Sequence, residues 1–260
     1  PETTRSNSAL GAFDNVDLSG DATIRYILMI YDANGVASKD RQVTYSDGKS
    51  VNFDVRLVPG RHYSFVVWAD YVEGEADVDY HYNTANLTNI TLNDTWVAMD
   101  ETRDAFTGVF NTKLDGNKTE YNGAKDIDIT LTRPFAKLRV VTTDIKELDD
   151  LHIAPYKAVA TYTTKHYESF NALNSTYAGE VANVEHTYDI ASYDDNVTTG
   201  KKQTKVLFTD YFFANNEVVN FTLDVKEQNG TSIKFNTFNT AIPAQRNYLT
   251  TISGNILTDG

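Results

Sequence analysis

Cysteine is absent from the 260 residues of this chain, so disulfides, thiolate chemistry and cysteine-held zinc are excluded within it. Proline is scarce, at 5 residues. No apolar run reaches the roughly 18 residues that a membrane-spanning helix requires. Basic residues are also few: 23 Lys and Arg stand against 36 Asp and Glu, a formal charge of −13. Phosphate recognition depends on clustered Lys and Arg, so this balance argues against nucleic acid as a partner. It argues equally against simple electrostatic attachment to a membrane surface.

Catalytic signatures are missing too. Gly48-Lys49-Ser50 ends like a phosphate-binding loop, but Val43 stands where the upstream glycine belongs, and the triplet sits in a hairpin pattern. The histidines His62, His81, His152, His166 and His186 are scattered, with no His-Glu-x-x-His arrangement. No Gly-x-Ser-x-Gly elbow occurs. Among 36 acidic residues a facing carboxylate pair can always be drawn, so their presence decides nothing about glycoside hydrolysis. Asp77, Asp79 and His81 would project from one face of a strand, and a solvated polar face explains them better than a cation site. The chain reads as a non-enzyme, with no catalytic, cofactor-binding or metal-ligating residues.

What is present is strand chemistry. Hydrophobic residues make up 41% and aromatics 12%, with 16 Tyr and 13 Phe, and β-formers replace the Ala, Leu, Glu and Lys of helical proteins. Residues 23–31 predict a strand with Ile24, Tyr26, Leu28 and Ile30 on one face. Val51, Phe53, Val55 and Leu57 alternate with polar residues, as do Ile127, Ile129 and Leu131. Ser46-Asp-Gly-Lys49 and Asn229-Gly230 predict hairpins. Residues 62–72, 77–82 and 107–112 predict further strands, and 100–106 a short helical turn. In the second half strands are expected over 158–163, 205–214, 218–226, 232–238 and 248–257. No segment offers three turns of capped, period-3.6 apolar spacing, so long helices are not expected.

Arg133-Pro134 interrupts the ladder at the middle of the chain, because proline has no N–H and restricts its predecessor. Beyond it Ala136, Leu138 and Val140 form a new apolar row. The pattern predicts an all-β protein of two tandem β-sandwich domains. Residues 1–21 form a flexible leader or exchanged N-terminal segment, 22–133 the first sandwich and 134–260 the second. A chain that begins with proline reads as a mature or trimmed form.

Three stretches together resemble the fimbrillin family of Bacteroidales type V pili. They are Leu57-Val-Pro-Gly-Arg-His-Tyr-Ser-Phe-Val-Val-Trp-Ala-Asp70, the central Thr132-Arg-Pro-Phe-Ala-Lys-Leu-Arg-Val140, and the closing Ile242-Pro-Ala-Gln-Arg-Asn-Tyr-Leu-Thr-Thr-Ile-Ser-Gly-Asn-Ile-Leu-Thr258. The resemblance implies transthyretin-like sandwiches and an outer-membrane lipoprotein precursor at the cell surface. It also implies a structural fimbrial subunit that polymerises by donor-strand exchange and serves adhesion. The implied partners are copies of itself or other pilin subunits, an arginine-specific maturation protease, and a host or bacterial surface receptor. Pilins of the family carry a further donor strand after the closing one, whereas this sequence stops at Gly260. An outer-membrane glycan-binding β-sandwich protein is the alternative.

Under that resemblance, Ile24, Tyr26, Leu28 and Ile30 are expected to line a donor-strand groove, with residues 23–31 beside an incomplete edge that leader residues fill or leave open. Arg5 is the only Lys or Arg before Arg25 and lies in a polar stretch, so Arg5-Ser6 is the expected processing bond, unless the cut lies upstream of Pro1.

Overall fold

A computed structural model describes residues 6–12, 22–46, 50–112, 126–190, 196–199 and 202–258. The first sheet is antiparallel and has four strands in the order β3 (Gln42–Tyr45), β2 (Thr23–Tyr31), β4 (Ser64–Val72) and β7 (Ala105–Asn111). β2 and β4 are buried on both faces, which is why they read as near-continuous apolar runs rather than as alternation. The second sheet runs β11 (Thr176–Val181), β10 (His166–Asn171), β6 (Ile90–Leu92), β5 (Tyr82–Asn83). The third runs β12 (Val184–Asp189), β9 (Lys157–Tyr162), β15 (Asn216–Lys226), β16 (Ser232–Gln245).

The fourth sheet runs β1 (Ser6–Ala12), β17 (Tyr248–Gly254), β8 (Phe135–Thr142), β14 (Lys202–Phe213), β13 (Asn196–Thr199). Its β17–β8 pair is parallel, with Ile252 opposite Val140. A six-residue helix, α1 (Ile145–Asp150), and a 3-10 turn at Glu101–Arg103 also occur among the described residues, so the expected short turn near 100–106 is present.

The third and fourth sheets close on one core, in which Leu138, Val140, Tyr162, Phe208, Phe212, Leu223 and Ile252 are buried together. The inner face of the first sheet (Ile27, Met29, Val66, Trp68) packs on the second sheet through Tyr82, Ile90 and Phe170. Phe135, Tyr211 and Phe213 join that cluster from beyond the proline step, with Phe135 and Phe213 stacked at 4.8 Å.

Sheet and core therefore both cross the Arg133-Pro134 step. β6 pairs with β10, placing Ile90 opposite Phe170. The step itself is clamped: Arg133 Nε donates to both Asp104 oxygens at 2.8 and 2.9 Å, and its carbonyl accepts from Arg246 Nε at 3.0 Å. The second sheet is thus built from both halves of the chain.

Several expectations need correction. Ser6–Ala12, within the stretch expected as a flexible leader or an exchanged N-terminal segment, is not flexible leader but a strand paired along its whole length with β17. It therefore joins the fourth sheet instead of filling a place in the first. β10, β11, β12 and β13 carried no recognisable strand signal, and residues 77–82 are extended only at Tyr82. Residues 51–57 and 126–131 keep their alternating burial but join no ladder among the described residues.

Candidate functional site

The outer face of the first sheet is apolar. Leu28 and Ile30 of β2 cluster there with Tyr63, Phe65 and Val67, and Phe65 lies 6.2 Å from Phe110 of β7. Two extended segments cover this face. Phe53, Val55 and Leu57 point onto it from one segment, and Ile127, Ile129 and Leu131 from the other; all six are only partly buried. The intervening Asn52, Asp54, Arg56, Asp128 and Thr130 are exposed. This is the alternation of a strand packed on one side.

Each segment is fastened at its C-terminal end. Val58 N–H donates to the Tyr63 hydroxyl at 3.1 Å, tying the first segment to the start of β4. Thr132 exchanges two backbone hydrogen bonds with Thr107 of β7, at 2.8 and 3.0 Å. The Thr107–Thr132 bridge is antiparallel, so 126–132 runs away from the end of the sheet toward which 51–57 runs.

Gly108 makes the close approach of the second segment feasible. A Cβ there would meet the Thr130 carbonyl oxygen at 2.6 Å and Ile129 Cγ2 at 2.7 Å. Neither atom is the far end of a flexible chain, so Gly108→Ala should displace 126–132 and cost about 1–3 kcal/mol. The expected result is a lower denaturation midpoint together with faster proteolysis within 126–132. An unchanged midpoint would show that the segment is not held against β7.

The four expected groove residues share one face of β2, and the structure brings Leu28 and Ile30 into the outer cluster. Ile24 and Tyr26 lie further along the strand, partly buried and buried respectively. The incomplete edge or groove was expected beside β2, where β4 pairs over the full length of the strand and β3 over Arg25–Leu28. Arg5 lies outside the described residues, and Ser6 is the first residue of β1.

Asp77 and Asp79 answer a buried cation of the chain itself. Arg25, fully buried, makes a two-point contact with Asp70 (2.9 and 2.8 Å) and reaches Asp77 at 3.0 Å and Asp79 at 2.9 Å. Arg41 adds a contact to Asp77 at 2.7 Å. Burial pushes the Asp77 carboxyl upward, but Arg41 and Arg25 outweigh it and hold it below its ordinary value. His81 faces elsewhere, with Nδ1 2.8 Å from Asp94 and Nε2 2.6 Å from the Thr102 hydroxyl. Among the described residues no three His, Asp or Glu groups could hold a metal ion.

A second polar cluster had no sequence signal. Asp210 of β14 is buried and accepts from Trp96 Nε1 at 2.6 Å and from the Tyr162 hydroxyl at 2.7 Å, with His186 Nδ1 at 2.5 Å. Its burial opposes ionisation, yet the His186 charge and these hydrogen bonds lower its pKa overall. Trp96 stacks with His186 at 5.6 Å and has the Arg103 guanidinium over its ring at 4.6 Å. The other tryptophan, Trp68, is fully buried. An open aromatic platform for a sugar is therefore not formed by either tryptophan.

The architecture defines an all-β protein whose first sheet carries an outer face covered by two segments that join no ladder among the described residues, the second touching β7 only through the single Thr107–Thr132 bridge. The chain belongs to the family of unknown function DUF6562, whose sequence profile covers residues 1–260. No curated protein matches it. Similar solved structures include the fimbrial anchor protein Mfa2 from Porphyromonas gingivalis, at 12% identity and a TM-score of 0.44, spanning 85% of this chain and 76% of that one. A fimbrial assembly protein from Parabacteroides distasonis is 12% identical with a TM-score of 0.47, over 95% of this chain and 89% of its own. A candidate cell adhesion protein from Bacteroides eggerthii is 13% identical with a TM-score of 0.47, over 99% and 88%.

Proposed function

We propose that this protein is a structural subunit of a cell-surface fimbria that takes up an extended strand from a neighbouring subunit on the outer face of its first sheet. The observation that carries the reading is the pair of segments 51–57 and 126–132. Both alternate as strands and cover an apolar face, yet neither has a ladder partner among the described residues. An inserted strand would complete the hydrogen bonds of both and bury their half-exposed apolar side chains. A head-to-tail contact of this kind propagates into an open filament rather than a closed ring.

The resemblance to the fimbrillins supports the same reading. With it come an outer-membrane lipoprotein precursor, an arginine-specific protease acting at Arg5-Ser6, and an adhesive role toward a surface receptor. We retain the division into 22–133 and 134–260 as two sandwiches, with the β11-β10-β6-β5 sheet bridging them.

Electron microscopy of cell surfaces with antibody against this chain should label filaments. The variant Val55→Asp/Ile129→Asp places charges where the incoming strand would pack, so it should be exported and folded yet absent from filaments. Filaments that incorporate the variant normally, or a surface on which the antibody labels no filament, would reject the proposal.

A further inference from the structure

The side chain of Lys137 is fully buried, a placement that lysine almost never adopts without a partner. The partner is Glu101, in the 3-10 turn that precedes β7: Lys137 Nζ lies 3.0 Å from Oε1 and 2.9 Å from Oε2. We propose that these two side chains condense into an amide, a self-formed covalent tie between Lys137 Nζ and Glu101 Cδ that joins the chain across the Arg133-Pro134 step.

The fold brings three reacting groups together. Lys137 of β8 and Tyr211 of β14 stand directly opposite in their ladder, so their side chains leave the sheet on the same side. Lys137 Nζ sits over the Tyr211 ring, 4.9 Å from its centroid. The Tyr211 hydroxyl donates to Glu101 Oε2, one of the two oxygens that face Lys137. Burial, then Asp104 and Glu101, push that hydroxyl far above its ordinary value, so it remains a donor. Phe135 packs edge-on against the Tyr211 ring at 6.3 Å. Asp104 is already held at both oxygens by Arg133 Nε, which leaves Glu101 as the acceptor.

Burial works against the ionised pair, because two charges have been taken out of water, whereas an amide carries none. Proton transfer within the pair gives a neutral amine and a neutral carboxylic acid, with the proton on Oε1. The Nζ lone pair attacks Cδ and forms the C–N bond, while the Tyr211 hydroxyl hydrogen-bonds Oε2 as negative charge develops there. A second proton passes from nitrogen to the Oε1 hydroxyl, the C–O bond breaks, and water leaves. One ammonium and one carboxylate thus become one amide and one water, with no oxidant or cofactor. Fixing both groups at contact distance supplies the proximity that the same reaction lacks in solution.

The inference does not depend on the filament reading, and its first readout needs no variant. Mass spectrometry of the intact, full-length protein should give a mass one water below the sum of its residues. Fragmentation should place residues 101 and 137 on one branched peptide. Lys137→Met has no amine to condense and should show its full expected mass. Tyr211→Phe keeps the ring beside Phe135 and Lys137 and should form the bond at least about tenfold more slowly in freshly synthesised protein. An unshifted wild-type mass, loss of water at any other pair, or bond formation in Tyr211→Phe at the wild-type rate would each overturn the proposal.

Discussion

Arg25→Ala should destabilise the protein by about 3–5 kcal/mol, the range for removing one partner of a buried ion pair. The cost arises less from the lost attraction than from what stays behind. Asp70 is 1% exposed, and without Arg25 both of its oxygens lose their charged donor. Asp77 and Asp79 are 38% and 25% exposed, so water and Arg41 can partly compensate them. The double variant Arg25→Met/Asp70→Leu should therefore recover much of the loss, since it removes the buried charge along with its partner. Urea midpoints of the wild type, the two single variants and the double variant decide the point. A double variant less stable than Arg25→Ala would mean that the pair is worth more than the desolvation it costs.

The same cluster shows why sequence reading reached only part of the site. Asp77 and Asp79 were visible as a polar strand face, but their partner lies more than fifty positions earlier, inside an apolar strand. Nothing local marks Arg25 as the centre of the network. Period-2 alternation at 51–57 and 127–131 was legible because each segment packs on one side only, and the structure preserves that burial. Whether an alternating segment has a neighbour is a separate question, since pairing is a non-local fact that one sequence does not encode locally.

The missed strands have a consistent cause. β1 is made of Ser, Asn, Ala, Leu and Gly, small residues with no apolar period, and backbone pairing to β17 orders it. β10 to β12 are rich in Tyr, Glu, Thr and His, and two residues of β10, none of β11 and two of β12 are buried. The proline step was read as a break between two strands, but 126–131 joins no ladder before it, and Phe135, Tyr211 and Phe213 beyond it cluster with the first half of the chain. The aromatic cluster that crosses the step could be found only once the sheets were placed.

The pH dependence of stability should reveal His166 most directly. Burial lowers its pKa from 6.5 to about 4, aided by His186 and opposed by Asp210 and the Thr164 carbonyl. A base whose folded pKa is depressed leaves stability intact above the unfolded value and removes it as pH falls toward the folded value. The window thus runs from about pH 6.5 down to about 4, and the difference corresponds to roughly 3 kcal/mol at 1.36 kcal/mol per pH unit. The wild-type profile alone does not isolate this effect. Asp104, raised by burial to about 6 against the pull of Arg133, gains stability over part of the same interval as it protonates. The comparison with His166→Phe removes that background, because phenylalanine fills the ring's place between Tyr162 and Phe212 without titrating. Denaturant midpoints measured at pH 7 and pH 4 should show the wild type losing roughly 3 kcal/mol relative to His166→Phe, with the variant at least as stable at pH 4. Parallel profiles for the two proteins would mean that His166 reaches solvent or a partner when protonated, and that the ring is not held neutral by its surroundings.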